Sequence, residues 1–142
     1  MAFIKGVYEL KAFQEAYALI LEIAPYADAM PQTEQYNGIA SQIRRASTSV
    51  CANLAEGFGK NKSKAEMRKY VRISLGSAEE MDFWTKLSID KKFIPTEMGE
   101  NFRERYQLVC RLLGGFEKSI TENLKTKTQK TNLPKPESAP NY

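Results

Sequence analysis

The stretch FRERYQLVCRLLGGFEKSITENL, residues 102–124, decides the fold. Its apolar residues Phe102, Tyr106, Val109, Leu113, Phe116, Ile120 and Leu124 return at steps of four and three, alternating as far as Ile120, through three heptads. A helix of 3.6 residues per turn gathers them on one side, whereas a strand would scatter them over both faces. A helix with one apolar stripe must bury it against other elements, so the rest of the chain has to supply partners.

Three more helices are legible upstream. Phe13, Ala16, Ile20, Ile23 and Ala27 mark a buried face, widened by Leu10 and Tyr17, and predict a helix over about 8–29 that closes near Met30 and Pro31. The second, over 37–57, opens at Asn37-Gly38 with the asparagine as N-cap and turns Ile39, Ile43, Ala46, Val50, Asn53 and Leu54 inward. The third, over 63–92, opens on a capping box, Ser63 with Glu66. Met67, Tyr70, Val71, Ser74, Ala78, Met81 and Thr85 form its core side, and Lys91 and Lys92 suit its C-terminal dipole. The fourth spans 96–125. Beyond it, residues 126–142 are rich in Thr, Lys, Asn, Ser and Pro, a composition that predicts a disordered tail. The expected architecture is one all-α domain over 1–125, an antiparallel up-and-down four-helix bundle.

Composition closes several routes to chemistry. Histidine is absent, so no imidazole serves as general base or metal ligand. A zinc site would rest on Cys51, Cys110 and carboxylates, and an inward Glu-x-x-His di-iron set cannot be written. Gly57-Phe58-Gly59-Lys60 fails as a phosphate loop, because Asn61 follows the lysine and Leu54 holds the first glycine's place. Ser41, Ser47 and Ser49 have no base to activate them, and Glu79, Glu80 and Asp82 read as surface carboxylates. We therefore expect no enzyme, no cofactor and no metal. With no apolar run of about eighteen residues, no secretory pattern at Met1–Lys5 and two cysteines read as free thiols, the expected location is the cytoplasm, away from the membrane.

Two surfaces look unlike ordinary solvated helix backs. On helix two, Ser41, Thr48, Ala52 and Ala55 face outward, where Lys, Glu and Gln are usual. On helix three the outward side runs from Lys69 and Arg72 through Gly76 to Phe83 and Leu87, with Trp84 at its edge. Ser41, Thr48, Ala52, Ala55, Phe83 and Leu87 are the candidate contacts of a homo-oligomer. Charge is uneven too. Residues 44–72 hold eight cations (Arg44, Arg45, Lys60, Lys62, Lys64, Arg68, Lys69 and Arg72) against Glu56 and Glu66, a net +6 in a chain of +4. Those eight are the candidate nucleic-acid contacts, by attraction to phosphate.

Ser41-Gln42-Ile43-Arg44-Arg45-Ala46, then Ser49-Val50-Cys51-Ala52-Asn53-Leu54-Ala55-Glu56-Gly57-Phe58-Gly59-Lys60, resembles the signature of a bacterial four-helix-bundle family first noticed in intervening sequences of 23S ribosomal RNA genes. Leu75-Gly76-Ser77-Ala78-Glu79-Glu80-Met81 is similar to its second motif, and Leu10–Ala16 to its usual start. The resemblance covers about residues 8–125. It implies an antiparallel bundle, a homopentamer and no known enzymatic activity. Gln42, Asn53, Glu56, Gly57, Gly76, Ser77 and Glu80 are carried over as structural motif residues, with Asn53 expected to tie helix two to a neighbouring backbone or to Glu80. A related branch, the accessory variability determinant of diversity-generating retroelements, implies nucleic acid and a reverse transcriptase as partners. The corresponding alternative is a protein-interaction scaffold for such a polymerase. One departure stands out: the family often has proline where this chain has Cys51, so helix two is expected to run straighter.

Overall fold

The computed structural model describes residues 6–129 and residue 141. Among the described residues there are four helices and no strand: α1 (Lys11–Asp28), α2 (Ile39–Gly57), α3 (Lys64–Asp90) and α4 (Thr96–Gln129), with single 3-10 turns at Val7–Glu9 and Gln32–Glu34. Each helix packs on its neighbour in sequence and α4 closes back onto α1, the arrangement of an up-and-down bundle. Phe102, Tyr106, Val109, Leu113 and Ile120 of the opening stretch are buried with Leu19, Ile23, Ile43, Val50, Leu54, Val71 and Met81, while Phe116 and Leu124 flank that core.

The capping box forms as expected: Glu66 N–H donates to Ser63 Oγ at 3.1 Å, and Ser63 N–H donates to Glu66 at 3.0 Å. At α2 the expected asparagine cap is replaced. Gly38 is the N-cap, and Ile39 N–H donates to the Glu34 carboxylate at 2.8 Å, which satisfies a free amide of the first turn from outside the helix. A Cβ at position 38 would lie 2.3 Å from Glu34 Oε2, so only glycine lets the carboxylate in.

Other boundaries and sides also differ from expectation. α1 begins at Lys11 rather than near residue 8, because Val7–Glu9 forms a separate 3-10 turn; it carries Pro25 on its exposed side and ends at Asp28, close to the expected end. Tyr17 is not a core residue: it is 50% exposed, because its position falls on the outward side of the α1 wheel once Ala16 and Leu19 point inward. Cys51 is buried, its thiol directed at Phe13 O (3.9 Å), and α2 runs unbroken through it. Helix α3 ends at Asp90, and Lys92 takes a positive φ of 64° in the turn that follows. Residues 126–129, expected to be disordered, continue α4; the Thr126 hydroxyl donates back to Glu122 O at 3.0 Å, and Lys125 suits the helix end. Further along, Asn141 Oδ1 accepts from Lys11 N–H (3.1 Å), and the remainder of the expected tail lies outside the described residues.

Small polar groups set the α2–α3 contact. Ser74 Oγ donates to Val50 O (2.5 Å), and the Ser49 and Ser77 hydroxyls bond each other at 2.8 Å. Asn53 donates to Ser49 O (2.9 Å) and Ser49 Oγ (3.0 Å), so it braces its own helix and does not reach Glu80. Amide-to-carbonyl reach at four residues is short, and Arg45 holds Glu80 elsewhere. Gly57 ends α2 where a Cβ would come within 3.0 Å of the Tyr70 Cβ, which explains a glycine at that close approach.

Candidate nucleic-acid interface

The eight cations singled out in the sequence separate into two groups. Arg44 and Arg45 lie in the first half of α2 and are engaged within the chain. Arg44 pairs with Asp28 at 2.7 Å and donates to Gln35, while Arg45 pairs with Glu80 and donates to Gln42. The Glu80 carboxylate also accepts from Trp84 Nε1 at 3.0 Å. The remaining six gather around the opposite end of α2, where the chain turns into α3. Two of these are engaged as well: Lys62 pairs with Glu56 (3.2 Å) and lies over the Tyr70 ring, and Arg68 pairs with Glu117 of α4 at 2.9 Å. Hydrogen bonding to Glu56 pushes the Lys62 pKa up, so its charge is secure. Lys60, Lys64, Lys69 and Arg72 make no ion pair among the described residues, and Lys60, Lys69 and Arg72 are exposed.

Helix α4 adds cations that the sequence reading passed over. Arg111, Lys118 and Lys125 recur every seven residues on its exposed side and make no ion pair among the described residues. The pairs Arg68–Glu117 and Arg103–Asp82 (both 2.9 Å) fix an antiparallel register in which Arg72 stands level with Leu113 and Lys64 level with Thr121. Arg72, one turn from Arg68, therefore lies beside the outward row of α4, while Lys69 shares the side of Glu80, toward α2. Acids border the row: Glu117 is held by Arg68, Glu122 lies between Lys118 and Lys125, Glu104 stands one heptad before Arg111, and Glu79 marks the lower edge on α3. Heptad-spaced cations opposite an apolar stripe were the available signal, since the core positions of the same helix had already been read.

Most residues expected to contact another copy are exposed. Thr48, Ala52 and Ala55 are exposed and Ser41 is half-buried; Thr48 Oγ1 donates back to Arg44 O at 2.7 Å, leaving its methyl outward. Phe83 is 55% exposed and meets Trp84 edge-on at 4.9 Å. Leu87 corrects the expectation: it is half-buried against the core, at the closing turn of α3, where Lys91 N–H bonds Leu87 O (2.9 Å) and Phe93 N–H bonds Ser88 O (2.8 Å). Of the motif residues, Gly76 is exposed with open space about it, and Ser77 is buried.

Little here resembles a reaction centre. Burial pushes the Cys51 thiol up to about 12 and Cys110 to about 11, so both stay protonated near neutrality and neither is a ready nucleophile. Among the described residues no three His, Cys, Asp or Glu side chains cluster as metal ligands, and no helix is long and apolar enough to cross a membrane. An open depression of about 470 Å³ is lined by Asp28, Met30, Gln32, Gln35, Tyr36 and Arg44. Its cation is already bound to Asp28, which leaves nothing to draw an anion in.

Comparison with known proteins agrees with this architecture. A crystal structure of a protein of unknown function from the S23 ribosomal protein family of Bacteroides thetaiotaomicron VPI-5482 superposes with a TM-score of 0.67, over 75% of this chain and 95% of that one, at 22% identity. At that identity the likeness carries the fold alone. Among curated proteins nothing matches. A family model described as 23S rRNA-intervening sequence protein matches residues 8–115, most of the bundle, and with both sequence motifs inside that span the chain belongs to the 23S rRNA-intervening sequence protein family.

Proposed function

We propose that this chain is a non-enzymatic, homo-oligomeric bundle of the cytoplasm that binds nucleic acid through phosphate contacts on the α3–α4 face. The observation that carries the reading is the juxtaposition of unpaired cations. Arg72, one turn from Arg68 on the side of α3 that meets α4, lies beside the row of Arg111, Lys118 and Lys125, and Lys60, Lys64 and Lys69 are also unpaired among the described residues toward the same end of the bundle, while other arginines of the fold (Arg44, Arg45, Arg68, Arg103 and Arg105) are held by acids of the chain. A cation already in an ion pair must lose that partner before it can serve a phosphate. An unpaired one releases only counterions from the nucleic acid, and that release is the main drive to binding. Assembly into a ring, pentameric by family resemblance, would repeat the face and add multivalency without new contacts.

Fluorescence anisotropy of a labelled duplex across a salt series tests the reading. With six or more phosphate contacts, affinity is expected to fall roughly a thousandfold between about 50 and 200 mM salt. The double variant Arg72→Glu, Lys118→Glu is expected to abolish binding while melting like the wild type. Binding that ignores both salt and charge reversal would remove this face from consideration. A partner recovered from cells after nuclease treatment, with no nucleic-acid affinity, would favour the adaptor reading instead.

A further inference from the structure

The asparagine expected to cap α2 is left without that role. Gly38 is the N-cap, and Ile39 N–H takes the Glu34 carboxylate at 2.8 Å. The Asn37 side chain is exposed and makes no hydrogen bond among the described residues. Its surroundings are fastened on both sides. Gln35 Nε2 donates to Ala27 O (3.0 Å) and Met30 O (2.9 Å), and Gln35 Oε1 accepts from Arg44 (2.8 Å). Gly38 O accepts from Gln42 N–H at 3.1 Å as α2 begins. Asn37 stands in the short turn between these anchors, outside any helix.

The residue after it has to be glycine. A Cβ at position 38 would lie 2.3 Å from Glu34 Oε2 and 2.5 Å from Glu34 Cα, which no side chain could tolerate while the carboxylate caps α2. Glycine also leaves its own amide nitrogen unscreened, since it has no Cβ. The capping geometry thus keeps a free carboxamide directly before an unhindered peptide nitrogen. Other asparagines of the described residues differ. Asn53 is bound to Ser49 O and Ser49 Oγ inside α2, and Asn101 and Asn123 lie inside α4 before Phe102 and Leu124. Within a helix the next amide is committed to the backbone ladder and cannot turn to the side chain. Asn61 precedes Lys62, whose N–H donates to Gly59 O at 3.4 Å.

We propose that Asn37 is a site of self-modification, at which the fold's own glycine attacks the asparagine side chain. The Gly38 nitrogen gives its proton to solvent base and attacks Asn37 Cγ. The N–Cγ bond forms, the Cγ–Nδ2 bond breaks, and the carboxamide nitrogen leaves as ammonia after taking a proton from water. A second water opens the cyclic imide. Addition at Cγ gives aspartate; addition at the backbone carbonyl carbon gives isoaspartate, in which the main chain runs through the side chain. Ammonia is exchanged for water, nothing is oxidised or reduced, and one negative charge is gained.

The two products act differently on α2. Aspartate keeps the backbone and puts an anion just before the positive end of the helix. Isoaspartate lengthens the main chain by one methylene before Gly38. That shift moves Gly38 from its close approach to Glu34 and takes the carboxylate off Ile39 N–H.

Peptide mapping of the full chain, aged in neutral buffer, tests the site. The tryptic peptide 12–44 holds Asn37 as its sole asparagine, so the exchange of ammonia for water is read from its mass, and the two products elute apart. Conversion is expected to be roughly tenfold faster at Asn37 than at Asn53, Asn61, Asn101 or Asn123, and within about tenfold of its rate in the chain unfolded by guanidinium. Asn37 that stays intact in the folded chain while converting in the unfolded one overturns the proposal. Asn37→Gln, whose extra methylene slows ring closure, is expected to keep the wild-type melting temperature and leave peptide 12–44 unchanged. Conversion that persists in that peptide overturns the assignment to Asn37. The isoaspartyl chain, separated by its charge, is expected to exchange the Ile39 amide hydrogen about fivefold faster than unmodified protein, as for loss of a cap. Asn37→Asp is expected to exchange it like the wild type. Equal exchange in the isoaspartyl chain overturns the uncapping of α2.

Discussion

Arg105 and Arg72 carry the same group on adjacent helices of one bundle, and they have opposite fates. On the α1–α4 side, Arg105 is held by Glu15 and Glu22 across two turns of α1, and these contacts push its pKa up. On the α3–α4 side, Arg72, Arg111 and Lys118 stand exposed and none of them makes an ion pair among the described residues. The first cation fastens two helices; the second is available to a partner. Net charge along a sequence therefore misleads unless it is sorted by who already holds each charge. Of the eight residues that gave the 44–72 segment its net +6, four are engaged internally.

Four measurements break or sharpen that contrast. The largest effect is expected from Arg72→Glu combined with Lys118→Glu: duplex affinity falls at least a hundredfold by anisotropy, with stability within about 0.5 kcal/mol of wild type, as befits exposed sites. Arg105→Ala is expected to do the reverse. It leaves two carboxylates without their shared cation and lowers unfolding free energy by about 1–2 kcal/mol in urea titration, after allowance for their partial exposure, with duplex affinity unchanged. Loss of affinity in this variant would show that the two sides are not independent.

Between these surfaces lies Tyr106, fully buried, whose hydroxyl finds no hydrogen-bond partner among the described residues. Tyr106→Phe is expected to gain about 1 kcal/mol in the same titration by removing an unsatisfied group, and to leave binding alone. The smallest effect concerns pH. The hydrogen bond from Arg105 holds the Glu22 carboxyl below its ordinary value. Its contribution is thus complete above the usual carboxylate range and drains away as pH falls through the lower folded value. Melting temperatures of Glu22→Gln and wild type are expected to differ by a degree or two at neutral pH and to converge in acid. A gap that widens in acid would contradict the assigned direction.

Periodicity made the fold legible because burial of a helix leaves a spacing that survives in the sequence. Phe102, Tyr106, Val109, Leu113 and Ile120 could be placed from their intervals alone, and Ser63 with Glu66 from the chemistry of a cap. What failed was whatever depends on a partner distant in the chain. The Glu34 carboxylate at the start of α2 displaced the expected asparagine cap, since a residue five positions back reached the free amide first. Tyr17 read as core because an aromatic widens any apolar stripe, and only the packing of Ala16 and Leu19 sets the stripe's edge. Membership of the basic face was half legible. Lys69 and Arg72 stood out in a basic run, but Arg111, Lys118 and Lys125 are spread thinly among acids, and only the register with α3 groups them. Which arginines are engaged could not be read at all, because Glu117 lies 49 residues from Arg68 and Glu80 lies 35 from Arg45.

The serine contacts between α2 and α3 have a mechanical consequence. Ser74 is tied to the Val50 carbonyl and Ser49 to the Ser77 hydroxyl, at two successive levels of the same seam. Sliding one helix past the other by a turn would break both bonds at once and strand Ser74 and the Val50 carbonyl in the buried seam, so translation along the seam is a step rather than a continuum. The hairpin acts as a ratchet held in a single notch, and Thr48, Ala52 and Ile73, which ride on its two arms, keep a constant stagger.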